Sequence, residues 1–228
     1  MPPDVASGAS ECPRIAVLAS GRGTNLQALL DAIADGRLRA SISGVFSDRS
    51  GAPVLERARD AGVPACAMDP ARFDSRRAFD LAMFDAVAAS GADFVVCAGY
   101  LRLLDEVVVE RWRGRMVNIH PSLLPAYKGL RTHQRALDDG IDMHGASVHF
   151  VTPDLDGGPV LAQVRVPVLP GDDARTLAAR VLEREHPLLV ACVDMIAQGT
   201  ARLVEDGVML EGVRLLAPLQ LAANNTLA

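Results

Sequence analysis

The sequence predicts an α/β fold: a mostly parallel, Rossmann-like sheet flanked by helices, with antiparallel strands added in the C-terminal half. Three observations predict it. Short apolar runs alternate with amphipathic stretches over the first hundred residues, as βαβ units require. The first run, Arg14 to Ser20, ends in a glycine-rich turn, as a strand buried on both faces does before a helix. Farther on, two β-branched runs, 145–151 and 160–168, are joined by a loop too short for a helical crossover, which favours antiparallel pairing.

The elements follow in order. Residues 25–33 show helical spacing through Leu26, Leu29, Leu30 and Ile33. Residues 43–47 read as the second strand, 53–60 as a helix with Pro53 at its start, and 65–68 as a short third strand. An amphipathic helix spans 73–90, opened by Asp74 and Ser75, and a buried strand follows over 93–98. The stretch 116–120 reads as extended, and 121–140 as a loop. Residues 172–197 form one long helix, with Asp172 and Asp173 at its positive end. A hairpin around Glu205, Asp206 and Gly207 closes the chain.

Composition bounds the function. The chain has 228 residues, 50% of them hydrophobic, enough for a sizeable core. With no repeat and no linker, residues 14–228 read as a single domain, preceded by a flexible extension over 1–13. That extension lacks the apolar core of a secretory signal, and no apolar run reaches the ~18 residues of a membrane span. The net charge of −5, with Lys128 the only lysine, argues against a nucleic-acid surface. Four widely spaced cysteines without a C-x-x-C pair read as reduced thiols, and the protein as cytoplasmic.

The most informative segment is Met116 to Pro125. Side chains at i and i+2 of an extended segment share a face, so Asn118 and His120 can address one atom together. Pro121 keeps His120 out of the helical region. An amide donor beside a group that titrates near neutrality suits acyl or one-carbon transfer; a satisfied pair at a strand end is the plainer alternative. Asp156, in Asp-Gly-Gly-Pro, is either a turn residue bonded to its own backbone or a carboxylate that raises the pKa of His120. Ser20-Gly-Arg-Gly-Thr-Asn25 is either an anion cradle at a helix start or a bare tight turn. It lacks the Lys of a P-loop and the third glycine of a dinucleotide fingerprint. His144 and His149, five apart, face opposite sides of a strand and have no companion ligands, so no metal is expected. Ser122 lacks a nucleophile elbow and reads as a backbone-bonding serine. Cys97 reads as core.

Taken jointly, these motifs closely resemble the glycinamide ribonucleotide formyltransferases. The resemblance runs from Arg14 to about Leu216. It rests on Ser-Gly-Arg-Gly-Thr-Asn-Leu-Gln, Phe-Asp-Ser-Arg, Ala98-Gly-Tyr-Leu-Arg-Leu-Leu104 and Asn-Ile-His-Pro-Ser-Leu-Leu-Pro, with His144-Gly-Ala-Ser-Val-His-Phe-Val and Asp-Gly-Gly-Pro-Val. It implies the formyltransferase fold, and Asn118, His120 and Asp156 as catalytic residues. Gly23, Thr24, Asn25 and Glu185 fall on the binding site for the ribonucleotide. Arg76, Leu101, Arg102, Leu103, Leu104 and Asn118 fall on the folate site. The co-substrate implied is 10-formyltetrahydrofolate, without a metal, and the partners are a reduced folate and glycinamide ribonucleotide, in a monomer or homodimer. The stretch around Lys128 and His133 varies among relatives and is assigned no catalytic role. Arg22 stands where relatives often carry a small or amide side chain. Methionyl-tRNA formyltransferase would need a further domain and a basic face. Formyltetrahydrofolate deformylase normally carries a domain ahead of this module. A dinucleotide-dependent oxidoreductase, for which Asp48 would bind ribose, is disfavoured by the missing glycine.

Overall fold

A computed structural model describes residues 12–205 and 207–228. Most of the predicted extension 1–13, and Asp206 of the predicted hairpin, lie outside the described residues. The elements run β1 (Arg14–Leu18), α1 (Thr24–Ala34), β2 (Ser41–Ser47), α2 (Pro53–Asp60), β3 (Ala65–Ala67), α3 (Arg76–Ala89) and β4 (Phe94–Cys97). Next come α4 (Glu106–Arg111), β5 (Met116–His120), α5 (Thr132–Asp138), β6 (Met143–Phe150), β7 (Val160–Pro167) and α6 (Ala174–Ala197). The chain closes with β8 (Ala201–Val204), β9 (Gly207–Leu210), β10 (Val213–Arg214) and β11 (Leu219–Gln220).

An eight-stranded sheet carries the molecule, in the order β11-β7-β6-β5-β4-β1-β2-β3. Strands β3, β2, β1, β4 and β5 are parallel, while β6 pairs antiparallel with both β5 and β7. The predicted fold class holds. The alternation along β1 shows why its apolar run is unbroken: Ile15 and Val17 pack into one core with α1, α2 and α6, while Ala16 and Leu18 enter a second core with Phe79, Phe84 and Trp112. Both faces are covered, so its four buried positions, Ile15 to Leu18, are all apolar. β1 lies between β2 and β4, so the chain reverses direction across the sheet beside β1. Ligands of open α/β sheets bind outside the C-terminal strand ends at such a point.

Two predicted boundaries shift, each for a local reason. The helix expected over 73–90 begins at Arg76, because the Ser75 side chain accepts the Ala78 amide and caps it there. The residues before it form a 3-10 turn over Pro70–Arg72, capped by Asp69. The last long helix begins at Ala174 behind Asp173, whose carboxylate and Thr176 form a reciprocal capping box. Asp172 instead receives two bonds from Arg180, at 2.6 and 2.7 Å.

The segment 121–140 is not all loop. It contains a cis Leu124-Pro125 bond and the short helix α5. Ser122 Oγ donates to the Ala126 carbonyl at 2.7 Å, as a backbone-bonding serine should. The predicted hairpin pairs β8 with β9, and β10 extends it to a three-stranded sheet. Cys97 and Cys192 are buried free thiols whose pKa values burial pushes up, Cys97 to about 12.

Candidate active site

A cavity of about 590 Å³ opens where β1, β4 and β5 end. Asn25, Leu101, Arg102, Leu103, Leu104, Asn118, His120, Asp156 and Glu185 all line it. The structure thus brings together the loop after β1, the turn after β4, the end of β5 and the Asp156 loop. Three other expected residues stand elsewhere. Gly23 caps α1, and Thr24 lines a second cavity of about 480 Å³ on the other side of that helix. Arg76, exposed in the first turn of α3, does not line the main cavity.

At the centre, Asn118 and His120 point the same way from β5, as their spacing predicts. Neutral tautomers can be assigned from the acceptors. His149 Nδ1 lies 2.9 Å from the Phe150 carbonyl, which can only accept, so Nδ1 carries the hydrogen. His149 Nε2 therefore accepts from the amide nitrogen of Asn118 at 3.1 Å. The same amide nitrogen reaches Asp156 Oδ1 at 3.5 Å. His120 Nε2 lies 2.9 Å from the Tyr127 carbonyl and must donate to it. That leaves Nδ1 of the neutral ring unprotonated, 3.4 Å from Asp156 Oδ2.

Two opposed forces act on His120. Burial, the larger, disfavours its charged form; the Tyr127 carbonyl and the Asp156 carboxylate favour it. Burial prevails, and His120 lies below the ordinary histidine value. Asp156 does act upward, as expected, but burial and not Asp156 sets the net direction. Asp156 lies below the usual carboxylate range: burial pushes it up, but the Gly129 amide at 2.8 Å, and the His149 and His120 rings whenever they carry a proton toward it, outweigh that. It sits at φ 45°, in the left-handed region that Asp tolerates better than most side chains. Two residues after it, Gly158 approaches the Phe150 carbonyl so closely that no Cβ would fit.

His149 is the participant that sequence reasoning passed over. The sequence places it in a shared motif and tests it against a metal without giving it a role, whereas antiparallel register sets it opposite Asn118 and His120 opposite Ser147. His144 is fully buried, edge-on to His133 at 5.1 Å. Among the described residues no group of three or more His, Cys, Asp or Glu is arranged to hold a metal.

At one end of the cavity, α1 begins without a side-chain cap. Gly23 stands at φ 75°, and no acid occupies the first turn. Such a helix start offers free N–H groups and a partial positive charge to an anion. Beside it, Asn25 Nδ2 donates to Glu185 Oε2 at 3.4 Å, and burial raises the Glu185 pKa. Asn25 Oδ1 is buried without a hydrogen-bond partner among the described residues. At the other end, the 101–104 turn is held by Ser20 Oγ, which accepts the Leu101 amide at 3.0 Å, and by Asp80, which accepts the Asp105 amide at 2.7 Å. Leu101 and Leu103 remain exposed there, Leu104 is buried, and the Arg102 guanidinium stacks 4.9 Å above Phe79.

The sequence matches the formyl transferases, and the site just described lies within the matched stretch. The chain belongs to that family, whose model matches residues 13–193. Within it, the chain is 43% identical to phosphoribosylglycinamide formyltransferase of Escherichia coli K12 over 201 residues, which cover 88% of this chain and 95% of that one. The phosphoribosylglycinamide formyltransferase of Coxiella burnetii, solved with CHES, superposes with a TM-score of 0.86 at 41% identity, covering 90% of this chain and 96% of that. Glycinamide ribonucleotide transformylase 1 of Symbiobacterium toebii gives 0.84 at 44% identity, covering 87% and 93%.

Proposed function

We propose that the protein transfers the formyl group of 10-formyltetrahydrofolate to the amine of glycinamide ribonucleotide, a step of purine biosynthesis. One observation carries the reading: Asn118, His120 and Asp156 converge midway along a cavity that has an uncapped helix start at one end and an apolar turn at the other. The phosphate is held by the amides of Gly23, Thr24 and Asn25. The ribose hydroxyls donate to Glu185, a buried carboxylate that accepts a long hydrogen bond from Asn25 at 3.4 Å. The folate lies against Leu101 to Leu104, where backbone groups read the pterin.

The amine attacks the formyl carbon, forming a C–N bond and placing negative charge on the formyl oxygen. An Asn118 amide hydrogen stabilises that oxyanion, a contribution typically ~2.7–4 kcal/mol for one such donor. His149 keeps one amide hydrogen, at 3.1 Å, and the other, held by Asp156 only at 3.5 Å, turns to the oxyanion. His120, neutral in the free site, takes the proton released by the amine at Nδ1, the nitrogen its bond to Tyr127 leaves unprotonated. The imidazolium forms beside Asp156 as the oxyanion grows, then gives its proton to N10 as the carbon–N10 bond breaks. Proton movement by one positioned group accounts for about 10²–10⁴-fold, and alignment of the two substrates supplies much of the rest.

The test is a spectrophotometric assay of folate release from 10-formyltetrahydrofolate, with and without the ribonucleotide, on the wild type and His120→Ala. Release that depends on the ribonucleotide and falls by about 10²–10⁴-fold in a folded His120→Ala supports the reading. Release without the ribonucleotide makes the protein a hydrolase. Near wild-type turnover in the variant overturns the role of His120.

A further inference from the structure

The loop after β1 is gripped from outside the active site by one helix. The Val54 amide of α2 donates to the Gly21 carbonyl at 3.1 Å. One turn along, Arg57 donates from Nε to the Arg22 carbonyl at 2.8 Å and from Nη1 to Gln27 Oε1 at 3.1 Å. Gln27 lies in α1; its own amide closes onto the Gly23 carbonyl at 3.0 Å, and its side-chain nitrogen donates to Asp31 at 2.9 Å. One guanidinium therefore ties the loop to the helix it opens. Val54 also fills the space beneath Gly23, where an added Cβ would come within 2.7 Å of its side chain.

Peptide geometry gives this grip a direction. The carbonyl of one residue and the N–H of the next belong to one planar trans unit and point opposite ways. Drawing the Gly21 carbonyl toward α2 aims the Arg22 amide away from it. Drawing the Arg22 carbonyl toward Arg57 does the same for the Gly23 amide. Two successive donors are thus turned outward, side by side, as an anion-binding nest requires. Arg57 does not line the main cavity; it faces the second one, across α1.

We infer that Arg57 is a positioning residue for the ribonucleotide: by holding the Arg22 carbonyl and Gln27 with one planar fork, it aims the Gly23 amide at the phosphate. The inference rests on the proposed phosphate role of this loop. Lysine cannot substitute, because a single ammonium on a flexible stem does not span two acceptors on different elements with fixed geometry.

The experiment compares glycinamide ribonucleotide with its dephosphorylated riboside, each with 10-formyltetrahydrofolate, in the wild type, Arg57→Ala and Arg57→Lys, with melting curves to establish folding. Arg57→Ala is expected to raise KM for the ribonucleotide about tenfold, the scale of one lost charge-assisted hydrogen bond, with kcat and the folate KM within about twofold. The riboside should be turned over equally by wild type and variant, and Arg57→Lys should recover little of the loss. An equal loss with the riboside would make Arg57 a general structural residue, and full recovery by Lys would make it a simple source of charge. Either result overturns the inference. If the wild type itself handles riboside and ribonucleotide alike, the phosphate reading of the loop fails and this inference falls with it.

Discussion

At the scale of single residues, the site works through competition between burial and charge. His120 is sequestered enough that burial outweighs Asp156, which keeps it neutral in the free protein. A group that must start as a base is active only above its pKa. The acidic limb of kcat/KM, measured from pH 5 to 8, should therefore lie below the ordinary histidine value of about 6.5. A limb well above that value would mean that the protonated ring is the starting form. Asn118 and His120 were legible in the sequence because extended spacing alone puts them on one face. The direction of the His120 shift was not, since it depends on how much of the ring the fold covers. His149 was illegible for a different reason: its role is set by which residue of β6 pairs with Asn118.

Among elements, the strand ends and turns decide the geometry, and they do so through close contacts. Gly158 is the sharpest case. A methyl group there collides with the Phe150 carbonyl, beside the point where the Phe150 amide bonds Pro159 at 3.0 Å. Relief must move the segment that carries Asp156. Gly158→Ala is accordingly expected to lower stability by about 1–3 kcal/mol. It should also cost up to about 10²-fold in kcat, because Asp156, displaced from its proposed catalytic position, loses alignment. Melting and turnover measured together check both; unchanged turnover would show that Asp156 is held independently of this contact. The helices that were legible carry strong apolar periodicity. The six-residue α4 escaped because three consecutive valines carry no helical rhythm, and its start is fixed by Asp105 accepting the Val107 amide. The seven-residue α5 buries only Thr132 and Ala136, too narrow a stripe to read.

Over the whole molecule, buried histidines link stability to pH. His144 is fully buried; burial, with His133 beside it, pushes its pKa down to about 4. His133 and His186 are shifted the same way. Between about pH 6.5 and 4 the unfolded chain binds protons that the folded chain refuses, so stability declines as pH falls through that window. His144 alone accounts for up to about 3 kcal/mol of the decline. Burial raises Glu185 and Asp80, which opposes part of it. Urea denaturation at pH 7.5 and 5 should show the drop, and His144→Leu should shrink it; a variant with the full drop would acquit His144. The parallel half of the sheet was legible because its strands are apolar on both faces. The edge strand β11, two residues pairing with β7, carries no such pattern. One contact noted above reaches farthest along the chain: Asn25 to Glu185, 160 positions apart. During translation the N-terminal βα units emerge first and can begin to associate. Glu185, the proposed ribose ligand, arrives only with α6, so on that reading a ribosome-tethered chain stays blind to its substrate until that last long helix has left the exit tunnel.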